Sequence, residues 1–239
     1  MNIKIIHEIK PVTLVGGGAV GTQDLTAALT LAPVCVAADS GADIVLQAGI
    51  ELAAVIGDMD SIAPASVAQI PPERFHKIPE QMSTDFGKAL RNISAPCIIA
   101  VGFSGARIDH QLGVLHTLVM YPDVACVVLG AEDIIFVCPP QFELPMASGT
   151  RVSLFPMGPV TGRSEGLQWP IEGLQFAPSC MSGTSNCATG DIQLQMDAPL
   201  MLCILPRRFL GDVTERLAGL PIHARWPARA ERRRDPQKL

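Results

Sequence analysis

Residues 34–60 read VCVAADSGADIVLQAGIELAAVIGDMD and contain two short apolar runs separated by a helical pattern. The runs at 34–38 and 53–56 predict β-strands, and the pattern at 41–48 predicts the helix that connects them. A strand, a helix and a second strand in so short a stretch are typical of parallel strands whose faces are covered by helices. This stretch therefore predicts an α/β fold for the first part of the chain.

The same alternation continues on both sides of this stretch. Further strands are predicted at 12–15, 97–101 and 124–129, and further helices at about 21–29, 83–92 and 107–119. Beyond Cys138-Pro139-Pro140, short runs punctuated by glycine and proline show no convincing helix, which favours an all-β domain. The predicted fold is an N-terminal parallel-sheet (Rossmann-like) α/β domain at 1–139, a C-terminal all-β sandwich at 140–227 and a polar tail at 228–239.

Composition narrows the classes of function. The 239 residues are 48% hydrophobic and 17% charged, as in a folded protein, and the formal net charge is −5. This charge argues against nucleic-acid binding, and the basic run at 229–234 is expected to be a solvated tail. We find no secretory signal and no apolar run long enough to span a membrane. The seven cysteines form no C-x-x-C pair, which predicts a protein of the reducing cytoplasm.

Acidic residues recur where the predicted strands end. Asp39 follows the second strand, Asp58 and Asp60 follow the third, Asp109 lies beyond the strand that ends at Gly102, and Asp85 opens a helix. Because ligands of open α/β sheets bind beyond the carboxyl ends of the strands, we expect these carboxylates to converge. Mg²⁺ would neutralise such a cluster. A single D-x-D motif is also ordinary turn chemistry, but several acidic strand ends favour a metal site.

Candidate phosphate-binding groups occur in the same half. Gly16-Gly17-Gly18 lies between a strand and a helix, where its backbone can approach a phosphate, although a tight turn explains it equally well. Arg107 is a candidate phosphate clamp because a guanidinium binds phosphate oxygens in a bidentate way. Lys88 either reaches the same phosphates or is a solvated helix lysine. His110 either bonds the substrate or phosphates, or has a packing or surface role.

Taken in order, these motifs resemble those of the thiamine pyrophosphokinase family. The similar blocks are ADSGAD at 38–43, GDMDS at 57–61, QMSTDFGKAL at 81–90, GFSGARIDH at 102–110, GLQWP at 166–170 and SGTSN at 182–186. Each block alone is weak, but the ordered set, within residues 12–206, is specific. The chain departs from the family pattern at Ser40 and Ala106, where the family has glycine, at Asp43, where it has asparagine, and at Met59, where it has phenylalanine.

The resemblance implies transfer of the diphosphate of ATP to the thiamine hydroxyl, giving thiamine diphosphate and AMP. It also implies a homodimer with thiamine bound at the subunit interface, so that the acidic crevice of one subunit faces the β domain of the other. The C-terminal domain would then serve thiamine binding and dimerisation, and the N-terminal domain would bind ATP and Mg²⁺.

The resemblance also implies roles for individual residues. Mg²⁺ would be held by Asp58, Asp60 and Asp85, with catalytic support from Arg107 and Asp109. The nucleotide would lie near Asp39, Thr84 and Arg107, and the sequence itself adds Gly17, Lys88 and His110 to the candidate nucleotide-binding residues. Thiamine would lie near Gln81, Trp169, Ser182, Ser185 and Asn186. If a carboxylate takes the hydroxyl proton, Asp85 and Asp60 are the candidates.

Two alternatives stay open at this point. One is a related pyrophosphokinase that acts on another alcohol, which a scan of acceptor alcohols would distinguish. The other is a non-catalytic module that binds a nucleotide or thiamine, which release of AMP would exclude. A complete set of carboxylates favours an enzyme, because binding alone does not need so many.

Overall fold

The structure is a computed structural model that describes residues 4–21, 23–105 and 107–229. The predicted polar tail from residue 230 onward, and Ala106, lie outside the described residues. The strands, β1 to β14 in chain order, are Ile6–His7, Val12–Val15, Val34–Ala38, Ala54–Gly57, Phe75–Lys77, Ile93–Ser94, Ile98–Val101, Cys126–Leu129, Asp133–Val137, Gln141–Leu144, Arg151–Pro156, Gly162–Leu167, Thr184–Met196 and Met201–Pro206. The α-helices, α1 to α6, are Asp24–Leu31, Gly41–Gln47, Pro64–Val67, Asp85–Asn92, Ile108–Met120 and Leu210–Gly219.

Strands of the first half pair in parallel. β7 pairs with β2 on one side and with β8 on the other, and β4 lies between β3 and β5. Every residue of β2, β4, β7 and β8 is buried. Such continuous burial is expected where helices cover both faces of a parallel sheet, and it explains why these strands appear in the sequence as unbroken apolar runs.

Strands of the second half pair in antiparallel. β11 lies between β13 and β14, and the long strand β13 also pairs with β10 and β12. Burial alternates along β10 and β11, as it does where one face of a sheet packs on the core and the other faces solvent. The predicted mixed α/β fold is confirmed, with one large mixed sheet.

The large sheet is continuous from one half to the other. β9 pairs with β8 of the first half and with β14 of the second. Side chains of both halves also share one apolar core, in which Ile99 and Val127 join Phe142 and Val152. The division of the chain near residue 140 therefore stays a prediction, because hydrogen bonds and packing cross that point.

One helix of the second half was not predicted. α6 follows the last strand and buries Leu210, Val213 and Leu217, which lie three and four residues apart and so share one helix face. This face joins the same core as Ile99 and Val127. Among the described helices, none is long and apolar enough to cross a membrane.

Candidate active site

Three carboxylates meet at the ends of two neighbouring parallel strands. Ala38 pairs with Ile56 in the register of β3 and β4, so the residues that follow each strand lie side by side. Asp39 follows β3, and Asp58 and Asp60 follow β4. Carboxylate oxygens of these three residues lie within 4.8 Å of one another. We call this group the acidic cluster. The convergence expected from the strand ends is confirmed for these three residues.

The backbone of the acidic cluster adopts uncommon conformations. Asp39 has φ +45° and Met59 has φ +67°, both in the left-handed region. Aspartate tolerates this region better than most residues, whereas methionine is rare there, so Met59 indicates local strain. A Cβ atom at Gly57 would lie 3.0 Å from Asp39 Cβ, which is why a residue without a side chain suits the end of β4. Local strain of this kind is typical of functional sites.

The acidic cluster has unsatisfied negative charge. Asp39 is buried, and burial raises the pKa of its carboxyl group, as do the nearby charges of Asp85 and Asp58. Within the described part of the chain, Asp39 Oδ1 and Asp58 Oδ1 are buried without a hydrogen-bond partner. A buried polar atom without a partner is costly unless something else satisfies it. Three converging carboxylates with two free oxygens fit a hard divalent cation such as Mg²⁺.

Lys88 connects the acidic cluster to Asp85. Its Nζ atom lies 3.0 Å from Asp58 Oδ2 and 2.9 Å from Asp85 Oδ1, and the residue is 1% exposed. The hydrogen bond from Lys88 lowers the pKa of Asp58. Burial acts to lower the pKa of Lys88, but its hydrogen bonds to Asp85 and Asp58 outweigh this effect, and the pKa is raised. Of the two alternatives for Lys88, a solvated helix lysine is excluded, because the side chain is buried between two carboxylates.

The structure groups the predicted metal residues differently from the expectation. Asp85 is outside the acidic cluster and is bonded to Lys88, whereas Asp39, expected near the nucleotide, is a member. Gln81, expected near thiamine, lies at the cluster, with its Nε2 atom 3.2 Å from Asp58 Oδ2. The difference arises because β3 and β4 are hydrogen-bonded neighbours, while Asp85 begins a separate helix.

The segment before α4 is held by Glu80, a residue that the sequence analysis missed. Glu80 accepts hydrogen bonds from the backbone N–H groups of Met82 and Ser83, from the Ser83 hydroxyl and from Arg91. Burial acts to raise the pKa of Glu80, but these hydrogen bonds outweigh it and lower the pKa to about 2. Thr84 then caps α4, because its Oγ1 atom accepts from the Gly87 N–H at 3.1 Å. This network fixes the backbone on either side of Gln81.

The glycine-rich loop packs closely against two neighbouring loops. A Cβ atom at Gly17 would lie 2.2 Å from Ser40 Oγ, and one at Gly18 would lie 2.5 Å from the carbonyl oxygen of Gly102. The Gly18 N–H donates to that same carbonyl at 2.9 Å. These contacts leave no room for side chains. They bring the loop beside Ser40, the residue that follows Asp39.

Arg107 and Asp109 pair with each other outside the acidic cluster. Two nitrogens of Arg107 contact the two Asp109 oxygens at 3.1 and 2.6 Å, and both side chains are about two-thirds exposed (66% and 65%). The hydrogen bond from Arg107 lowers the pKa of Asp109. His110 is exposed in the first turn of α5. The expected convergence of Asp109 with the other carboxylates is therefore not seen.

The predicted thiamine residues of the second half form a clamped loop. Asn186 is 3% exposed; its Oδ1 atom accepts from the N–H groups of Trp169 and Cys187, and its Nδ2 atom donates to the Trp169 carbonyl. Its polar atoms are thus used to hold the loop. The Trp169 side chain remains 55% exposed, and Ser182 and Ser185 are also exposed. Among the described residues, no side-chain hydrogen bond joins this loop to Gln81 or to the acidic cluster.

Residues 25–128 match a family model described as thiamin pyrophosphokinase, catalytic domain. Thiamine pyrophosphokinase 2 of Oryza sativa subsp. japonica is 28% identical over 169 residues, which are 62% of this chain and 63% of that protein. The solved structure of thiamin pyrophosphokinase from Geobacillus thermodenitrificans matches with a TM-score of 0.67 at 21% identity, over 82% of this chain and 96% of that one. For thiamin pyrophosphokinase from Candida albicans the TM-score is 0.69 at 17% identity, covering 85% and 93%.

The fold and the acidic cluster define a mixed α/β protein with a candidate divalent-cation site where parallel strands end. The comparisons show that the chain is similar to thiamine pyrophosphokinases, with the catalytic-domain model matched over residues 25–128. The matched segment includes the acidic cluster and Lys88 and ends before Trp169. The alignment with the Oryza sativa relative spans 63% of that protein's length, and the solved structures, at these identities, establish the fold.

Proposed function

We propose that this protein transfers the diphosphate of ATP to the hydroxyl group of thiamine, giving thiamine diphosphate and AMP, with Mg²⁺ as the metal. The observation that carries the proposal is the pair of buried, unpartnered oxygens of Asp39 and Asp58, within the segment that matches the catalytic domain of the family. Negative atoms without partners are expected where a cation and its phosphate ligands bind.

Asp39, Asp58 and Asp60 would hold the metal, and Asp85 is a further proposed ligand, adjacent through Lys88. When bound, Mg²⁺ neutralises phosphate charge and orients phosphate oxygens. The chain itself would position the reactants. Gln81 lies at Asp58, where it can orient the acceptor, and either Asp85 or Asp60 would accept the hydroxyl proton if a carboxylate does so. Positioning and charge stabilisation account for most of the catalysis in phosphoryl transfer.

ATP would bind beside the acidic cluster. The Gly17 loop presents backbone next to Ser40, and Thr84 caps α4 beside Asp85. Arg107 would exchange Asp109 for phosphate oxygens, because the two-point pairing with a carboxylate uses the same geometry as pairing with a phosphate. Asp109 would then orient Arg107, and His110 would lie near the nucleotide. Lys88 would act through its contacts with Asp58 and Asp85.

Thiamine would stack on Trp169. An exposed indole suits the cationic thiazolium ring, and the Asn186 clamp supports the tryptophan backbone. Ser182 and Ser185 would line the same surface. We propose a homodimer in which thiamine lies between the acidic cluster of one subunit and Trp169 of the partner subunit. Residues 140–227 would then serve thiamine binding and dimerisation, and residues 1–139 would be the catalytic domain.

The finer description of the architecture is also a proposal. Parallel pairing in β2, β7 and β8 and in β3, β4 and β5 supports a Rossmann-like first domain. Alternating burial in β10 and β11 supports a sandwich-like second domain. We place the protein in the reducing cytoplasm, a proposal supported by the free, buried thiols of Cys35, Cys97, Cys126, Cys138 and Cys203.

The proposal is tested by incubating the purified protein with ATP, Mg²⁺ and a panel of alcohols, and measuring AMP and the diphosphate ester. We expect AMP and thiamine diphosphate in equal amounts, with thiamine preferred over alcohols that contain only its pyrimidine or only its thiazole half. Asp58→Asn should lower turnover by at least about 100-fold. The control is Asp212→Asn, an exposed aspartate of α6, which should keep normal turnover. A preference for another alcohol, or no AMP at all, would contradict the proposal.

A further inference from the structure

Lys88 is unusual because a charged side chain is almost completely buried. The residue is 1% exposed and is among the largest fully buried residues in the described part of the chain. Its Nζ atom contacts Asp58 Oδ2 and Asp85 Oδ1, and no other salt bridge among the described residues reaches either carboxylate. Burial of a lysine is costly unless it is paired and hydrogen-bonded. Lys88 and the two aspartates therefore depend on one another.

The hydrogen bonds of Lys88 are made with two carboxylates of the protein. An ammonium group has three donors, and the carboxylates use two of them. The side chain is 2% exposed, so little of its charge is presented to a ligand. Asp58 also accepts from Gln81 on the same Oδ2 atom, and its Oδ1 atom is left without a hydrogen-bond partner.

We propose that Lys88 is a positioning residue, a built-in counter-charge that holds Asp58 and Asp85 together before a cation binds, and that it is not a ligand of the nucleotide phosphates. This inference rests on the proposed cation site. It has two consequences. Without a cation, loss of the lysine charge leaves two carboxylates that repel each other. With a cation, the charge of Lys88 opposes the ion, so the same lysine that stabilises the empty site also limits metal affinity.

The test compares Lys88→Met with Lys10→Met, which makes the same change at an exposed lysine. In EDTA, the melting temperature of Lys88→Met should fall by about 10 °C, because the Asp58 carboxylate, which is only 12% exposed, loses its positive partner. Saturating Mg²⁺ should recover more of the melting temperature in Lys88→Met than it adds to the unmodified protein. Isothermal titration calorimetry with MgCl₂ should give a Kd at least about tenfold lower for Lys88→Met. Lys10→Met should match the unmodified protein in every measurement.

Results that would overturn the inference differ clearly from those expected. If Lys88→Met kept its melting temperature in EDTA and its Mg²⁺ affinity but bound ATP more weakly, Lys88 would be a phosphate ligand and the inference would be wrong. Weaker Mg²⁺ binding would overturn it too. If Lys88→Met does not fold, the double variant Lys88→Met with Asp85→Asn should fold, because one of the repelling charges is gone; continued failure to fold would count against the proposal. None of these measurements uses turnover, so a protein that binds Mg²⁺ but forms no AMP overturns only the proposed function.

Discussion

The acidic cluster and the Trp169 loop differ in whether their buried polar atoms have hydrogen-bond partners. In the acidic cluster, carboxylates of Asp39 and Asp58 keep buried oxygens without partners, and burial raises the pKa of Asp39. At the Trp169 loop, the buried amide of Asn186 has partners for both its oxygen and its nitrogen, and the exposed group is an apolar ring. The acidic cluster keeps two buried oxygens without partners in spite of the Lys88 contact, whereas the Trp169 loop has partners for the buried amide and presents an indole to solvent.

This difference indicates how each region contributes. Buried charge without a partner lowers the free energy of unfolding, and binding of a cation raises it again. Substitutions in such a region should therefore affect metal binding and turnover most. A region with satisfied hydrogen bonds is a rigid support, so substitutions there should affect folding or substrate affinity. Variants that change turnover, stability and substrate affinity separately distinguish the two roles.

The largest effect is expected for Asp39→Asn. Turnover should fall by at least about 100-fold, because the metal site loses a negative ligand. The pKa of Asp39 is raised in the folded state, so the charged form destabilises the protein at neutral pH, and stability rises as the pH falls through that pKa. The variant should therefore melt about 2–4 °C higher than the unmodified protein in EDTA, the shift that about 1 kcal/mol produces in a chain of this size.

Differential scanning calorimetry in EDTA, beside the AMP assay in Mg²⁺, measures both effects on one preparation. A lower melting temperature for Asp39→Asn would show that the carboxylate is a satisfied structural group. Asp212→Asn, at the surface of α6, is the matched control and should leave both quantities unchanged.

Asn186→Ala tests the clamp of the second half. The substitution leaves the Trp169 and Cys187 N–H groups and the Trp169 carbonyl without their partner, so the free energy of unfolding should fall by about 2–3 kcal/mol. Urea denaturation measures it. Gln193→Ala, at an exposed position of the same strand, should change the free energy of unfolding by no more than about 0.5 kcal/mol. Equal stability of the two variants would mean that Asn186 does not support the loop.

Trp169→Ala should leave stability nearly unchanged, since the side chain is already 55% exposed. The KM for thiamine should rise by about tenfold, which corresponds to about 1.4 kcal/mol of lost contact with a cationic ring. Turnover at saturating thiamine should stay within about twofold. Trp169→Phe keeps an aromatic face, so its KM for thiamine should lie between those of the unmodified protein and Trp169→Ala. Loss of turnover without a change in KM would place Trp169 outside the thiamine site.

The smallest effect concerns acid stability. Glu80 has a pKa of about 2 in the folded protein, against 4.5 for an unperturbed glutamate. Its contribution to stability is therefore present above pH 4.5 and is lost as the pH falls towards 2. Glu80→Gln should be less stable at neutral pH and should lose less stability over that range, measured as the urea midpoint at each pH. Parallel pH curves for the two proteins would contradict the assignment. The effect is small because Glu80 is 34% exposed and water screens its charge.

The sequence predicted those features that depend on local pattern. Unbroken apolar runs predicted the buried strands, and an acidic residue after each of two neighbouring strands predicted that Asp39 and Asp58 would meet. Both inferences work because parallel strands end at the same edge of a sheet, whatever the rest of the chain does.

The features that were missed depend on contacts between distant parts of the chain. Lys88 lies thirty positions from Asp58, and a helix lysine in a sequence gives no sign that it will be buried between two carboxylates. The sequence alone does not distinguish Glu80 from other charged residues, because its role depends on the hydrogen bonds from Arg91 and Ser83. The large sheet continues across the boundary expected near residue 140. β9 and β14 pair there, although they lie more than sixty residues apart in the chain. The spacing of Leu210, Val213 and Leu217 was the one available sign of α6.

We propose that the acidic cluster binds a divalent cation for diphosphate transfer. The most direct test is a titration with Mn²⁺, followed by electron paramagnetic resonance of the free ion, on the unmodified protein, Asp58→Asn and Asp212→Asn. We predict a saturable Mn²⁺ site that Mg²⁺ displaces, that weakens by at least about tenfold in Asp58→Asn and that is unchanged in Asp212→Asn. Equal Mn²⁺ binding by all three proteins would contradict the account.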